Sequence, residues 1–242
     1  MIRPFAFAIS LALLGAGQPV VAKPGDAPKQ DTTPSHINEI AQGVAALQSG
    51  KPDEAVRIFE GVIAAYDRQY GPKVIFRCTS ANMDKAIASA FGDALTTDKR
   101  DIVLGNEDWC TALWGKGFAL IDLNRSAEAG PFLAKAVEMD PGNAHFINEY
   151  AEWFKAQQQF KRSKELFTQA WETVGHDKQG PDRKVAARSL RGIAFNLIEL
   201  GDLDGAEKLY RQSLDYEPEA KGKVQQELDY IAEQRAKLKR LN

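Results

Sequence analysis

Residues 110–143 read CTALWGKGFALIDLNRSAEAGPFLAKAVEMDPGN, and residues 144–177 read AHFINEYAEWFKAQQQFKRSKELFTQAWETVGHD. Laid over one another, 34 positions apart, they agree wherever side-chain size matters. A third stretch, 187–220, ARSLRGIAFNLIELGDLDGAEKLYRQSLDYEPEA, follows the same scheme after an insertion that contains Gly180-Pro181. A small residue recurs as Gly117, Ala151 and Ala194, and three positions on stands a bulky apolar one, Leu120, Phe154 or Leu197. A second small residue follows (Ala129, Ser163, Ala206), then Leu133, Phe167 or Tyr210, then Ala136, Ala170 or Ser213. Pro141, Gly175 and Pro218 close the copies. Residues 36–69 fit the frame through Gly43, Ala55, Phe59 and Val62, with a weaker first half.

Apolar residues at spacings of three and four define one face of an α-helix, and each copy contains two such runs. Ser49-Gly50-Lys51, Asn124-Arg125-Ser126 and Gly201-Asp202 separate the runs, with Gly or Asn able to take the positive φ of a helix C-terminus. Each copy is therefore a helical hairpin whose small residues let helix A and helix B approach. One hairpin cannot bury its apolar face alone, so hairpins must stack. The expected fold class is all-α, a solenoid of antiparallel helix hairpins.

This pattern resembles the tetratricopeptide repeat family, and within it an exported bacterial type. The 34-residue period, Gly or Ala at the eighth position, Ala at the twentieth, an aromatic at the twenty-fourth and Pro at the thirty-second carry the likeness. Lys116 stands where the family usually has Leu, and Ser163 and Ser213 replace Ala. The resemblance implies a right-handed superhelix whose A helices line a concave groove, and it implies binding of a protein or peptide without catalysis. By the family's geometry, positions 2, 5, 9 and 12 of helix A face inward. These are Thr111, Trp114, Phe118 and Ile121; then His145, Asn148, Glu152 and Lys155; then Arg188, Arg191, Phe195 and Ile198. Trp114 and Phe118 either face the groove or lie under the segment 70–109.

Outside the copies the chain changes character. Residues 1–22 hold one positive charge, an apolar run of about 13 residues and Val20-Val21-Ala22. That run is short of the ~20 needed to span a bilayer, and the segment reads as a secretory signal cleaved after Ala22. A periplasmic mature protein without stable membrane insertion is expected. Residues 23–35 carry Pro24, Gly25, Pro28 and Pro34 among polar residues and read as a disordered spacer. Residues 70–109 do not fit the repeat frame. They read as a helical insert across the seam after the first copy, with a helix near 80–95, a polar turn at 96–100 and a short apolar piece Asp101–Gly105. Residues 221–242 read as a capping helix with Val224, Leu228, Ile231 and Leu238 in one stripe.

Composition narrows the chemistry. With 31 basic against 33 acidic residues, the net charge of −2 argues against nucleic-acid binding, which draws on a basic surplus. Three dispersed histidines, His36, His145 and His176, and two cysteines offer no ligand set for a metal, and no cofactor motif appears. Cys78 and Cys110, an even pair in an exported chain, read as one disulfide; two buried thiols are the alternative. Glu149 and Glu152 share one helix face; the expected location and a few such carboxylates support a rival reading, an enzyme or accessory subunit acting on cell-wall or polysaccharide material. The favoured reading is a non-catalytic periplasmic scaffold that holds a protein or peptide in the groove, in assembly of an envelope complex.

Overall fold

A computed structural model describes residues 28–79, 83–94 and 98–241. The proposed signal segment 1–22 lies outside the described residues. Helical hairpins dominate them. The first copy is α1 (Ile37–Gln48) and α2 (Pro52–Gln69). The next three are α4 (Asp108–Asp122) with α5 (Ser126–Met139), α6 (Ala144–Ala156) with α7 (Phe160–Thr173), and α8 (Arg183–Glu199) with α9 (Leu203–Ser213). A final helix, α10 (Lys221–Leu241), packs on α9. The repeat array is the expected all-α solenoid.

The turn between the two helices uses one device in every copy. Its fifteenth residue has positive φ: Gly50 (67°), Asn124 (58°), Gln158 (59°) and Gly201 (88°). The next amide donates back across the turn, Lys51 N to Ala46 O (2.9 Å), Arg125 N to Leu120 O (2.8 Å), Gln159 N to Phe154 O (3.0 Å) and Asp202 N to Leu197 O (2.8 Å). That i to i−5 bond is the Schellman closure, which satisfies a carbonyl the helix would leave unpaired. The following helices open on side-chain caps where the sequence supplies them: Asn143 accepts from the amides of His145 and Phe146, and Asp202 from that of Gly205.

Stacking rests on the aromatic at the twenty-fourth position. Phe59 of the first copy is fully buried, and its ring lies where a Cβ on Gly115 would stand, 2.5 Å away. Phe167 meets Gly192 of the next copy in the same way at 2.4 Å. Helix α4 therefore packs directly on α2, and residues 70–107 loop out of the stack without interrupting it.

That loop differs from the helical insert the sequence suggests. It is a strand–helix–strand unit, β2 (Val74–Cys78), α3 (Met83–Ala94) and β3 (Asp101–Gly105), with β2 and β3 parallel in register from Val74↔Asp101 to Cys78↔Gly105. The short runs Val74-Ile75-Phe76 and Ile102-Val103-Leu104 are rich in β-branched residues and too short for a buried helix, which is why they pair as strands. Phe76, Cys78 and Val103 join the same core as Tyr66 of α2 and Trp109 of α4. The disulfide Cys78–Cys110 joins β2 to α4, with Cα atoms 6.4 Å apart. Arg77 clamps Asp93 of α3 through Nε and Nη2 (2.6 and 2.8 Å) and donates to the Glu138 carbonyl of α5.

The segment expected as a disordered spacer is ordered where it is described. Residues Lys29–Gln30 form strand β1, parallel to β3, giving the sheet order β1-β3-β2. Beyond it, Asp31 N donates to Leu104 O (2.8 Å), Tyr70 donates its hydroxyl to Asp31 (2.5 Å) and the His36 amide donates to Asp108 (2.7 Å). These partners, together with the ion pair Lys29–Asp101 (2.7 Å), offset the entropy that composition alone sets against ordering.

Candidate functional site

Successive A helices bring their inward positions to a common face. In its later part, Glu152 and Lys155 of α6, Arg188, Arg191 and Phe195 of α8 and Tyr210 of α9 surround a cavity of about 220 Å³. Helix α10 completes the wall with Lys223, Val224 and Glu227. Of the expected groove residues, the structure thus unites Glu152, Arg188, Arg191 and Phe195, with Lys155 beside them.

The charges are arranged as an interlocked set. Arg188 grips Glu149 with two guanidinium nitrogens (2.6 and 3.1 Å) and stands 4.0 Å from Glu152. Lys155 pairs with Glu152 and lies 4.8 Å from the centre of the Phe195 ring. Arg191 reaches Glu217 at 2.7 Å. Glu149, held in this pair, is buried against Arg188 and turned away from solvent. Fork-to-fork Arg–carboxylate pairs fix orientation as well as charge, so these side chains form a preset wall.

The earlier part of the face is aromatic. Trp114 is half-buried, with ring-centre distances of 5.9 Å to Phe118, 5.0 Å to His145 and 6.1 Å to Phe146. Two of those partners, His145 and Phe146, belong to the start of α6, which covers Trp114 on that side. Ile121 packs, half-buried, against the core of the first two hairpins. Burial holds the His145 imidazole below its usual titration range; Arg188 pushes the same way, and Glu149 opposes it.

One expected groove residue belongs elsewhere. Asn148 is fully buried: its amide donates to the Val185 carbonyl (3.3 Å) and its oxygen accepts from Ser189 Oγ (2.9 Å). A polar pair inside the α6–α8 contact is favourable only when both members are satisfied, so Asn148 works as a cross-link and not as a groove contact. Tyr210, Lys223 and Glu227 were not legible as site residues from the repeat copies alone. The missed signal is phase: Lys221 follows Ala187 by 34 residues, so α10 begins where the A helix of another copy would.

Among the described residues no group of three or more His, Cys, Asp or Glu side chains is placed to hold a metal. No helix among them is long and apolar enough to cross a membrane.

Fold and face together define a solenoid of stacked helical hairpins, an architecture whose curvature creates an extended concave surface. Residues 111–143 match the family model of the tetratricopeptide repeat. No curated protein matches the chain. Among solved structures, pilF of Pseudomonas aeruginosa superposes with a TM-score of 0.56 at 13% identity, over 83% of this chain and 69% of that one. A Podosopora anserina kinesin-light-chain protein with nearly identical TPR-like repeats gives 0.52 at 15% identity, over 82% and 92%. MamA of MSR-1 gives 0.50 at 14% identity, over 83% and 86%. At these identities the likeness is one of fold: the chain shares the stacked-hairpin architecture of these proteins.

Proposed function

We propose that this protein is a non-catalytic scaffold, exported to the periplasm, that holds a protein or peptide segment along the shared face of α4, α6 and α8 in assembly of an envelope complex. The observation that supports it best is the cavity where α6, α8, α9 and α10 converge, with Phe195 set among Lys155, Arg188 and Arg191. Arginine and aromatic side chains on a preset wall are the groups that dominate binding hot spots. A hydrolytic reading draws on the expected location and a few carboxylates, and of these Glu149 and Glu152 are both held by cations.

Affinity capture from envelope extract tests the binding face. Wild-type protein retains a partner that Phe195→Ala and Arg191→Ala lose, with circular dichroism unchanged. Undiminished capture by both variants overturns the assignment of the face. Export is tested separately by fractionation and N-terminal sequencing of a C-terminally tagged chain. A mature start at Lys23 in the periplasmic fraction supports it, and a cytoplasmic chain that retains residues 1–22 refutes it.

A further inference from the structure

The cavity where α6, α8, α9 and α10 meet is lined by four cations and two carboxylates, and they are not equally committed. Glu152 is taken by Lys155. Burial first, and then the charge of Glu227, push the Tyr210 hydroxyl above its usual titration range. Behind the wall, Glu149 occupies Arg188 and Glu217 occupies one end of Arg191. Two donors remain. Arg191 Nη1 is shielded from solvent and has no hydrogen-bond acceptor among the described residues. The Lys223 ammonium on α10 has no ion-pair partner among them. The lining itself carries four cations against two carboxylates, an excess of positive charge. Phe195 adds an aromatic wall beside these donors.

A shielded guanidinium nitrogen without an acceptor is costly, and an anion that reaches it removes that cost. A carboxylate suits the position best, because it can accept from a guanidinium and an ammonium together. We propose that this cavity seats an acidic side chain, Asp or Glu, of the chain bound along the shared face, its carboxylate accepting from Arg191 and Lys223 and its methylene stem lying against Phe195. The inference rests on the groove reading above and adds the chemistry of one position. Lys223 makes the capping helix part of the site.

The test is selection of phage-displayed random peptides on the full chain, followed by binding of the selected sequences as C-terminally amidated synthetic peptides, which carry no terminal carboxylate. The expected outcome is a recurrent acidic residue whose change to Gln or Asn weakens binding about tenfold, the worth of a charge-assisted hydrogen bond. Lys223→Gln in the protein costs a similar factor, and combining the two changes costs little more than either alone. Lys223 is exposed, so this readout stands even if Arg191→Gln loses its fold by circular dichroism. Selected peptides that need Phe118 and Phe195 but no acidic residue, or that bind Lys223→Gln as tightly as wild type, overturn the acidic seat and leave the groove reading intact. Failure to select any peptide overturns both.

Discussion

The ring of Phe59 stands 2.5 Å from the point a Cβ on Gly115 would occupy, although the whole insert 70–109 lies between the two residues in sequence. This contact makes the first hairpin part of the same stack as the other three. Phe59 is fully buried and has no room to retreat. Gly115→Ala is expected to destabilise the chain by about 1–3 kcal/mol through overpacking. Urea unfolding measures it, and Phe59→Leu in the same background should recover part of the loss. A Gly115→Ala midpoint equal to wild type would show that the seam is not close-packed.

Gln158 adopts φ 59° at the turn position where two other copies have Gly and one has Asn. A side chain in the left-handed region costs roughly 1–2 kcal/mol, partly offset because Gln restricts the unfolded chain more than Gly does. Gln158→Gly should therefore raise stability by about 0.5–1 kcal/mol. A fall in the denaturation midpoint would contradict the shared turn geometry.

The disulfide ties strand β2 to helix α4 across a separation of 32 residues. Thiol titration under denaturing, non-reducing conditions should find no free thiol. The variant Cys78→Ala/Cys110→Ala should lose about 3–4 kcal/mol on the chain-entropy account. Equal stability of the two proteins would mean that the remaining contacts of β2 hold the insert by themselves.

His145 gives the stability a pH dependence of known sign. Burial holds its folded pKa below 6.5, with Arg188 adding to the effect and Glu149 opposing it. Below 6.5 the unfolded chain takes up a proton that the folded chain does not, so this contribution is complete above that pH and is lost as pH falls through the folded pKa. The melting temperature of wild type should fall more steeply than that of His145→Phe between about pH 8 and pH 5, the range in which an imidazole titrates. Parallel curves would remove His145 as the cause.

The array was legible because a tetratricopeptide-like hairpin encodes its own geometry locally. Gly117, small at the eighth position, marks the approach of Leu133 from helix B of its own copy, and Phe59 and Phe167, aromatic at the twenty-fourth, mark contacts with the copy that follows. Of the site, Glu152, Arg188, Arg191 and Phe195 followed from repeat phase. Asn148 shares that phase yet is buried, because Ser189 and the Val185 carbonyl offer its amide partners inside the α6–α8 contact.

What the sequence determined by itself, then, is the unit: two amphipathic helices, a turn that needs positive φ, and an apolar face that one hairpin cannot cover. What only tertiary structure decided lies between units and outside them. Strands β2 and β3 acquire their identity from pairing with each other, and Lys29–Gln30 from an edge that β3 provides; neither partner is near in sequence. The last helix likewise gains its place in the cavity from packing on α9, which sets Lys223 in the same lining as Arg191. Helical periodicity is written over a few neighbouring residues, whereas strand pairing and the closing of a cavity depend on contacts that exist only once distant segments have met.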